Sequence, residues 1–411
     1  MGKLISRAVD PQRFSVGSEG AIKLVHVMTS PLFLNFFQGQ SAYMRARGIH
    51  LSVITSPGEL LDRFAYQEGV AAFPVQMPRR ITPTYDLLAL ARICLILRSI
   101  RPHLVHAHTP KGGLLGMVGA WLCRVPIRIY HIHGLPYLTA SGLKRLLLRW
   151  SEKVACRLAH AVLCVSYSIR QIAVDERLCP ASKIKVLAAG SIQGVDADGR
   201  FNPNRFTEQE KQGLRSRLGL PEQAVVIGFV GRIVRDKGMI ELAEAWRRLR
   251  EDYSQAHLLL VGDYEEQDPV PDEVRNLLNN DPRVHITGWL TDTAPYYAVM
   301  HLLVLPSYRE GFPNTPLEAA AMELPVVATD IPGTRDAVVD GETGTLVPPY
   351  DAEALARAIR RYLNDPDLRR AHGKAGRQRV LQHFQQEIVW QALYEEYVSL
   401  LRAKSLAPYQ G

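Results

Sequence analysis

The sequence predicts an α/β chain built as two doubly wound Rossmann-like domains facing one another across a cleft. Three observations predict it. The 411 residues exceed one ordinary core and suit two domains of roughly 150–200 residues. Short apolar runs alternate with ~10-residue helical patterns, the rhythm of parallel βαβ units covered on both faces. The rhythm breaks once, at 190–219, a stretch rich in Gly, Asn, Pro and charge, and then restarts. No short repeat or low-complexity tract is present, which argues against a solenoid.

In chain order, residues 1–21 lack the apolar core of a signal peptide and read as a flexible leader. An N-terminal domain over 22–195 takes strands at 23–29, 50–55, 104–108, 128–133, 161–166 and 183–188. Helices fall at 38–47, 59–69, 113–123, 143–159 and 167–177. The apolar stretch 87–100, interrupted by Arg92 and Arg98, reads as a buried helix. A linker over 196–220 leads to a C-terminal domain over 221–385. It takes strands at 225–230, 257–261, 284–287, 302–305 and 325–328, with helices at 239–250, 272–280, 352–363 and 367–383 and one opening near Thr315. A last helix at 386–403 belongs to a closing segment, 386–411.

Composition excludes several classes. At 47% hydrophobic and 22% charged, the chain is a soluble globular type. No stretch reaches ~18 apolar residues, the length of a membrane span. Five cysteines, Cys94, Cys123, Cys156, Cys164 and Cys179, form no CxxC pair and read as reduced core residues of a cytosolic protein. The net charge of +8 hides a split. Residues 1–200 carry 25 basic and 11 acidic side chains; the remainder carries 24 and 30. An asymmetry of this size points to an anionic partner on the basic side.

Two segments of the second half carry chemistry. Gly231-Arg232-Ile233-Val234-Arg235-Asp236-Lys237-Gly238 follows a strand and precedes a helix. Glycines permit close backbone approach, the helix start offers free N–H groups, and Arg232 and Lys237 add charge, which together make a clamp for a diphosphate. The second segment, Arg309 to Glu318, also follows a strand. Thr315, Pro316 and Glu318 fit an N-cap, a first-position proline and a capping-box glutamate. Glu310 has no such structural role; on a Gly/Pro-rich loop it suits accepting hydrogen bonds from sugar hydroxyls.

Glu310 and Glu318, with Leu305-Pro306-Ser307, Gly311-Phe312 and the preceding Gly-Arg…Lys-Gly loop, resemble retaining GT-B glycosyltransferases of family four. The likeness covers roughly residues 22–400. It implies that Arg232 and Lys237 hold the donor diphosphate, that Glu310 touches the transferred sugar, and that Glu318 binds the ribose, in competition with its capping-box reading. Gly39, Gly231, Gly311 and Phe312 join these residues as donor contacts. The same resemblance implies a C-terminal helix returning toward the N-terminal domain. One departure is Gln193, where relatives commonly carry Asn.

In the first half, His131-Ile132-His133-Gly134 ends a strand. The resemblance places a histidine before glycine here, oriented toward the sugar and helping to stabilise the transition state; His133 matches best and His131 is the alternative. The loop His106-Ala107-His108-Thr109-Pro110-Lys111-Gly112-Gly113 resembles the bacterial polysaccharide and lipid-linked oligosaccharide assembly branch. His106 and His108 share one strand face, but lack a third ligand nearby in sequence, so no metal is expected. At 143–159, Arg145, Arg149, Lys153 and Arg157 recur every four positions beside Lys144 and Trp150, as suits a basic helix on an anionic bilayer. Leu146, Leu147 and Leu148 are expected toward the core or an interface. Arg79, Arg80, Arg98 and Arg101 add to the basic excess.

These features point to a peripheral glycosyltransferase on the cytoplasmic face of the cell membrane. The expected reaction moves a sugar, with retention, from a nucleotide-diphosphate sugar, a UDP-sugar by preference, to a lipid-diphosphate-linked saccharide or polysaccharide precursor. His133, Glu310, Arg232 and Lys237 are the expected catalytic residues. No cofactor is expected, since the nucleotide sugar is a substrate and two cations with a helix terminus can replace a metal. Alternatives are a nucleotide-sugar epimerase of the same fold, which needs carboxylates scarce in the first half, and a non-catalytic, membrane-docked sugar-nucleotide binding protein. Nucleic acid is not an expected partner, as no recognition motif for it is present.

Overall fold

A computed structural model describes residues 21–78 and 80–406. All but the last residue of the expected leader lies outside the described residues, as does Arg79. The described residues form two compact units: those of 21–165, 169–187 and 390–406 make the first, while 166–168 and 188–389 make the second.

The first unit holds a seven-stranded parallel sheet. Its strands are β1 (Ile22–Val27), β2 (Ile49–Thr55), β3 (Ala71–Pro74), β4 (Leu104–His108), β5 (Ile127–Ile132), β6 (Ala161–Cys164) and β7 (Ile184–Val186), in the order β3-β2-β1-β4-β5-β6-β7. Apolar side chains of alternating positions feed one core on each face. Val25, Val105 and Tyr130 lie on one side, and Leu24, Leu104 and Ile129 on the other. Leu393, Tyr397 and Leu401 of the last helix, Gln386–Ala403, complete the second of these cores. The helix Pro110–Leu122 sits close to the sheet because Gly113 lacks a side chain; a Cβ there would lie 2.1 Å from a Tyr130 ring carbon.

The second unit repeats the plan with six parallel strands: β8 (Val225–Val230), β9 (Ala256–Val261), β10 (Val284–Ile286), β11 (Leu302–Leu305), β12 (Val326–Thr329) and β13 (Gly344–Val347). Their order is β10-β9-β8-β11-β12-β13. In each sheet the direction of winding reverses once, between β1 and β4 and between β8 and β11. Ligands of open α/β sheets bind beyond the carboxyl ends of the strands at such a reversal. The loops after β1, β8 and β11 carry the Phe-rich segment, the Arg-Lys segment and the glutamate pair, while the histidines lie in β1, β4 and β5 and just past β5.

Several expectations need correction. The segment 196–220 is not a free linker. It contains the helix Glu208–Arg217, closed at its start by a capping box between Thr207 and Glu210, and it buries Leu214 and Leu220 in the second unit. The N-terminal run of the first unit correspondingly ends at 187, not 195, and the chain returns to that unit at 390. The helix Pro83–Ile100 is buried on one face alone: Ala89, Ile93 and Leu97 point inward while Leu87, Leu88 and Leu95 are exposed. Of Leu146, Leu147 and Leu148, expected toward the core or an interface, the first two are exposed and Leu148 packs on the core. Strands β3 and β13 were absent from the sequence reading. Ala71–Pro74 ends in proline and Gly344–Val347 begins with glycine, residues that weaken a strand pattern. All five cysteines are free thiols, four of them buried. Among the described residues no helix is long and apolar enough to cross a membrane.

Candidate active site

In the second unit the two expected segments meet. The loop after β8 turns at Gly238 (φ +71°), where a Cβ would lie 2.0 Å from the Pro306 carbonyl oxygen. That contact places the end of the clamp against the loop following β11. Further bonds fix it. Tyr308 donates its backbone N–H to the Asp236 carbonyl (2.9 Å), and Arg309 pairs with the Asp236 carboxylate (2.8 Å). The outcome is an ion pair between Lys237 and Glu310, whose side chains are 20% and 12% exposed. Residues 73 apart in sequence thus share one spot.

Arg232 lies in the same loop, 42% exposed and bonded to Glu265 (2.8 Å). Glu265 was not anticipated. It follows β9, and Gly262 after β9 packs against the Gly231 carbonyl, so a glycine just beyond a neighbouring strand was the available signal. Gly231 donates its N–H to the Val261 carbonyl (3.0 Å). Gly311 accepts from the Ser166 hydroxyl (2.8 Å). Phe312 is buried against Phe384 and acts as packing beneath the loop.

Glu318 departs from its capping-box reading. The helix starts two residues earlier than the capping-box reading requires, at Asn314 after Pro313, and has no side-chain cap. Pro316 is tolerated because it still falls in the first turn, where no N–H is needed. Glu318 instead accepts a hydrogen bond from Tyr297 (2.8 Å). Burial pushes its carboxyl up from the usual range, with the Tyr297 bond working the other way.

The first unit gathers imidazoles. His26 on β1 is the register partner of His106 on β4, and His108 on β4 is the partner of His131 on β5. His133 follows β5. A chain of hydrogen bonds runs from His26 Nδ1 to His108 Nε2 (2.8 Å) and from His108 Nδ1 to His133 Nε2 (2.9 Å). Burial holds His26 and His131 down to about 3, and burial together with neighbouring imidazoles holds His106, His108 and His133 well below the ordinary range. All five are neutral at physiological pH. Phe33 stacks edge-on to His133 (4.7 Å between centroids) and Phe37 edge-on to His108 (5.1 Å), so the loop after β1 packs over the cluster. The expectation that His106 and His108 lack a third ligand nearby is corrected here: parallel strands bring three more histidines to them.

Gly39 starts the helix Gln40–Arg45 with φ +80°. Its N–H donates to Glu68 (2.9 Å) and its Cα faces the Trp390 ring. These contacts give it a packing reason independent of any ligand. His133 and Gly39 belong to the first unit; Arg232, Lys237, Glu310 and Glu318 belong to the second.

Known proteins resemble this chain in sequence and in fold. Residues 35–190 match the family model described as a glycosyl transferase 4-like domain, and residues 224–365 that of the glycosyl transferases group 1. The chain is 31% identical over 381 residues to the capsular polysaccharide biosynthesis glycosyltransferase CapM of Staphylococcus aureus, covering 92% of this chain and 98% of that protein. It is 27% identical, over 84% of this chain and 89% of the other, to an Escherichia coli UDP-Gal:alpha-D-GlcNAc-diphosphoundecaprenol alpha-1,3-galactosyltransferase. Among solved structures, a glycosyltransferase from Rickettsia africae superposes with a TM-score of 0.77 at 21% identity, over 93% of this chain and 99% of that one. Anabaena HepE in complex with UDP gives 0.76 at 21% identity, over 92% and 100%. The two parallel-sheet units are those of the GT-B fold, and the chain belongs to the group 1, GT4-like glycosyltransferases.

Proposed function

We propose that this glycosyltransferase moves a hexosyl or N-acetylhexosaminyl group, with retention, from a UDP-sugar to a lipid-diphosphate-linked saccharide in the assembly of a bacterial polysaccharide. The observation that carries the reading is the Lys237–Glu310 pair beside Arg232. A donor diphosphate takes over the ammonium of Lys237 and the guanidinium of Arg232. Glu310 is then released to accept hydrogen bonds from sugar hydroxyls. As the glycosidic bond breaks, negative charge grows on the departing diphosphate and positive charge on the sugar. Arg232 and Lys237 stabilise the first directly, as preorganised charges at the point where charge develops. Glu318 supplies a carboxylate to ribose hydroxyls, and Gly231, Gly311 and Gly39 allow close approach of backbone to donor. His133, neutral and held by His108, offers a hydrogen bond to the sugar in the transition state. These residues need no metal ion for the step.

The acceptor class rests on the likeness to the E. coli galactosyltransferase, whose own acceptor is a diphosphoundecaprenol-linked sugar, and the donor class on the UDP held by HepE. A position on the inner face of an anionic membrane accords with exposed Leu146 and Trp150 next to the basic stripe of the same helix.

The test is nucleotide release from a panel of nucleotide sugars with polyprenyl-diphosphate-linked acceptors. Glu310→Ala and His133→Ala should each lower kcat at least 100-fold with one donor and acceptor pair. Donor binding without turnover in any pair would make the chain a binding protein instead.

A further inference from the structure

The transfer step calls on one histidine of the first unit, yet five sit together there. Strand register explains why. His26 and His106 are partners on adjacent strands, and the two-residue period of β4 puts His108 on the same face as His106. His26, His106 and His108 are all essentially fully buried, and one ring nitrogen from each lies within 4.8 Å of the others. A tetrahedral ion with metal–nitrogen bonds near 2.0–2.1 Å needs ligand nitrogens about 3.4 Å apart. Small side-chain rotations close that difference.

Two further observations point to a ligand. The Nε2 atoms of His26 and His106 are buried without a hydrogen-bond partner, an arrangement that core packing alone does not favour. On its other ring nitrogen, Nδ1, His106 is held by the Tyr397 hydroxyl (2.7 Å). Metal-binding histidines characteristically have their second nitrogen fixed in this way, which sets the tautomer and aims the first. The donor set is nitrogen alone, which suits borderline transition cations and not calcium or magnesium.

We propose that His26, His106 and His108 form a binding site for one divalent transition-metal ion of the zinc or cobalt type, with Tyr397 orienting His106. The ion replaces the hydrogen bond between His26 and His108, keeps the one between His108 and His133, and leaves a fourth position open. His131 and His133 lie outside this trio. A second trio, His108, His131 and His133, has comparable spacing, but of its members His133 is only half-buried, and it lacks an anchor like Tyr397. The proposal stands independently of the transferase reading.

The experiment uses the full chain, stripped with chelator and dialysed against cobalt(II) or zinc(II). Metal analysis should find one ion per chain, and X-ray absorption of the zinc form should show three imidazole ligands. Cobalt affinity should fall more than 100-fold in His26→Gln and His108→Gln and about tenfold in Tyr397→Phe. It should stay within threefold of wild type in His131→Gln and His133→Gln. Cooperative thermal unfolding identifies the variants that are folded, and the wild-type stoichiometry and X-ray spectrum require no variant at all. A wild-type chain that takes up no ion, or one with fewer than three imidazoles bound, overturns the proposal. So does an ion lost in His133→Gln but kept in His26→Gln.

Discussion

Gly238 shows at the scale of one residue how the second unit brings its reactive groups together. Its backbone is left-handed, and the space a Cβ would need is filled by the Pro306 carbonyl oxygen at 2.0 Å. A side chain here therefore meets both strain and a collision with rigid backbone. Gly238→Ala should cost about 2–3 kcal/mol of stability, and by parting the two loops it should weaken nucleotide binding at least tenfold. Urea unfolding and calorimetric titration with UDP measure the two effects; wild-type values in both would show that the loops do not depend on this contact. Lys237 and Glu310, which the fold joins in an ion pair, stand out in the sequence as candidates because each lies in a short segment with a chemical logic of its own. The bond of Glu318 to Tyr297 was not legible. Thr315, Pro316 and Glu318 imitate a capping box, and only the fold brings in a tyrosine 21 positions away. The histidine cluster was hidden for a related reason: its members are up to 107 positions apart, and register, not spacing, unites them.

At the scale of an element, the helix Gly142–Leu158 combines an exposed basic stripe with one buried acid. Glu152 accepts a hydrogen bond from Tyr130 of β5 (2.6 Å), so it ties helix to sheet and does not offset the stripe. Burial raises its carboxyl to about 7. The native state thus holds a proton that the unfolded chain has released above pH ~4.5. Stability from this group is complete below that value and is lost as pH rises to about 7, a change of order 3 kcal/mol. Glu152→Gln keeps an acceptor for Tyr130 and carries no titration. Relative to the variant, wild type should lose stability between pH 5 and pH 8; parallel denaturation curves at both pH values would refute this. The position of this helix followed directly from its sequence pattern, as did most strands, because apolar runs of five or six residues flanked by turns have few alternatives. What the pattern left open was facing. An apolar stretch such as Leu87 to Ile100 looks the same whether it is covered all round or on one side.

At the scale of the molecule, facing gives the charge split its meaning. The proposed diphosphate clamp lies in the half that is net acidic, so on that reading the basic excess of residues 1–200 serves something else. Three consecutive helices of the first unit, Pro83–Ile100, Pro110–Leu122 and Gly142–Leu158, pack in a row. Each leaves large apolar groups exposed: Leu88 and Leu95 on the first, Trp121 on the second, Leu146 and Trp150 on the third. Exposed apolar side chains beside lysine and arginine are the combination that inserts shallowly into an anionic bilayer. The two contributions separate experimentally. Leu146→Glu with Trp150→Glu removes insertion and should abolish sedimentation with vesicles containing anionic lipid. Arg145→Glu with Lys153→Glu removes attraction, at about 1 kcal/mol per basic residue lost near the surface, and should lower affinity more than 30-fold at low salt with little effect on neutral vesicles. Arg149 is a poorer choice, because Glu176 already holds its guanidinium (3.1 Å). Both double variants should bind UDP as wild type does, since the clamp belongs to the other unit. Vesicle binding unchanged in both would leave the basic half without a membrane role, whereas loss of UDP binding would signal misfolding and not a docking surface.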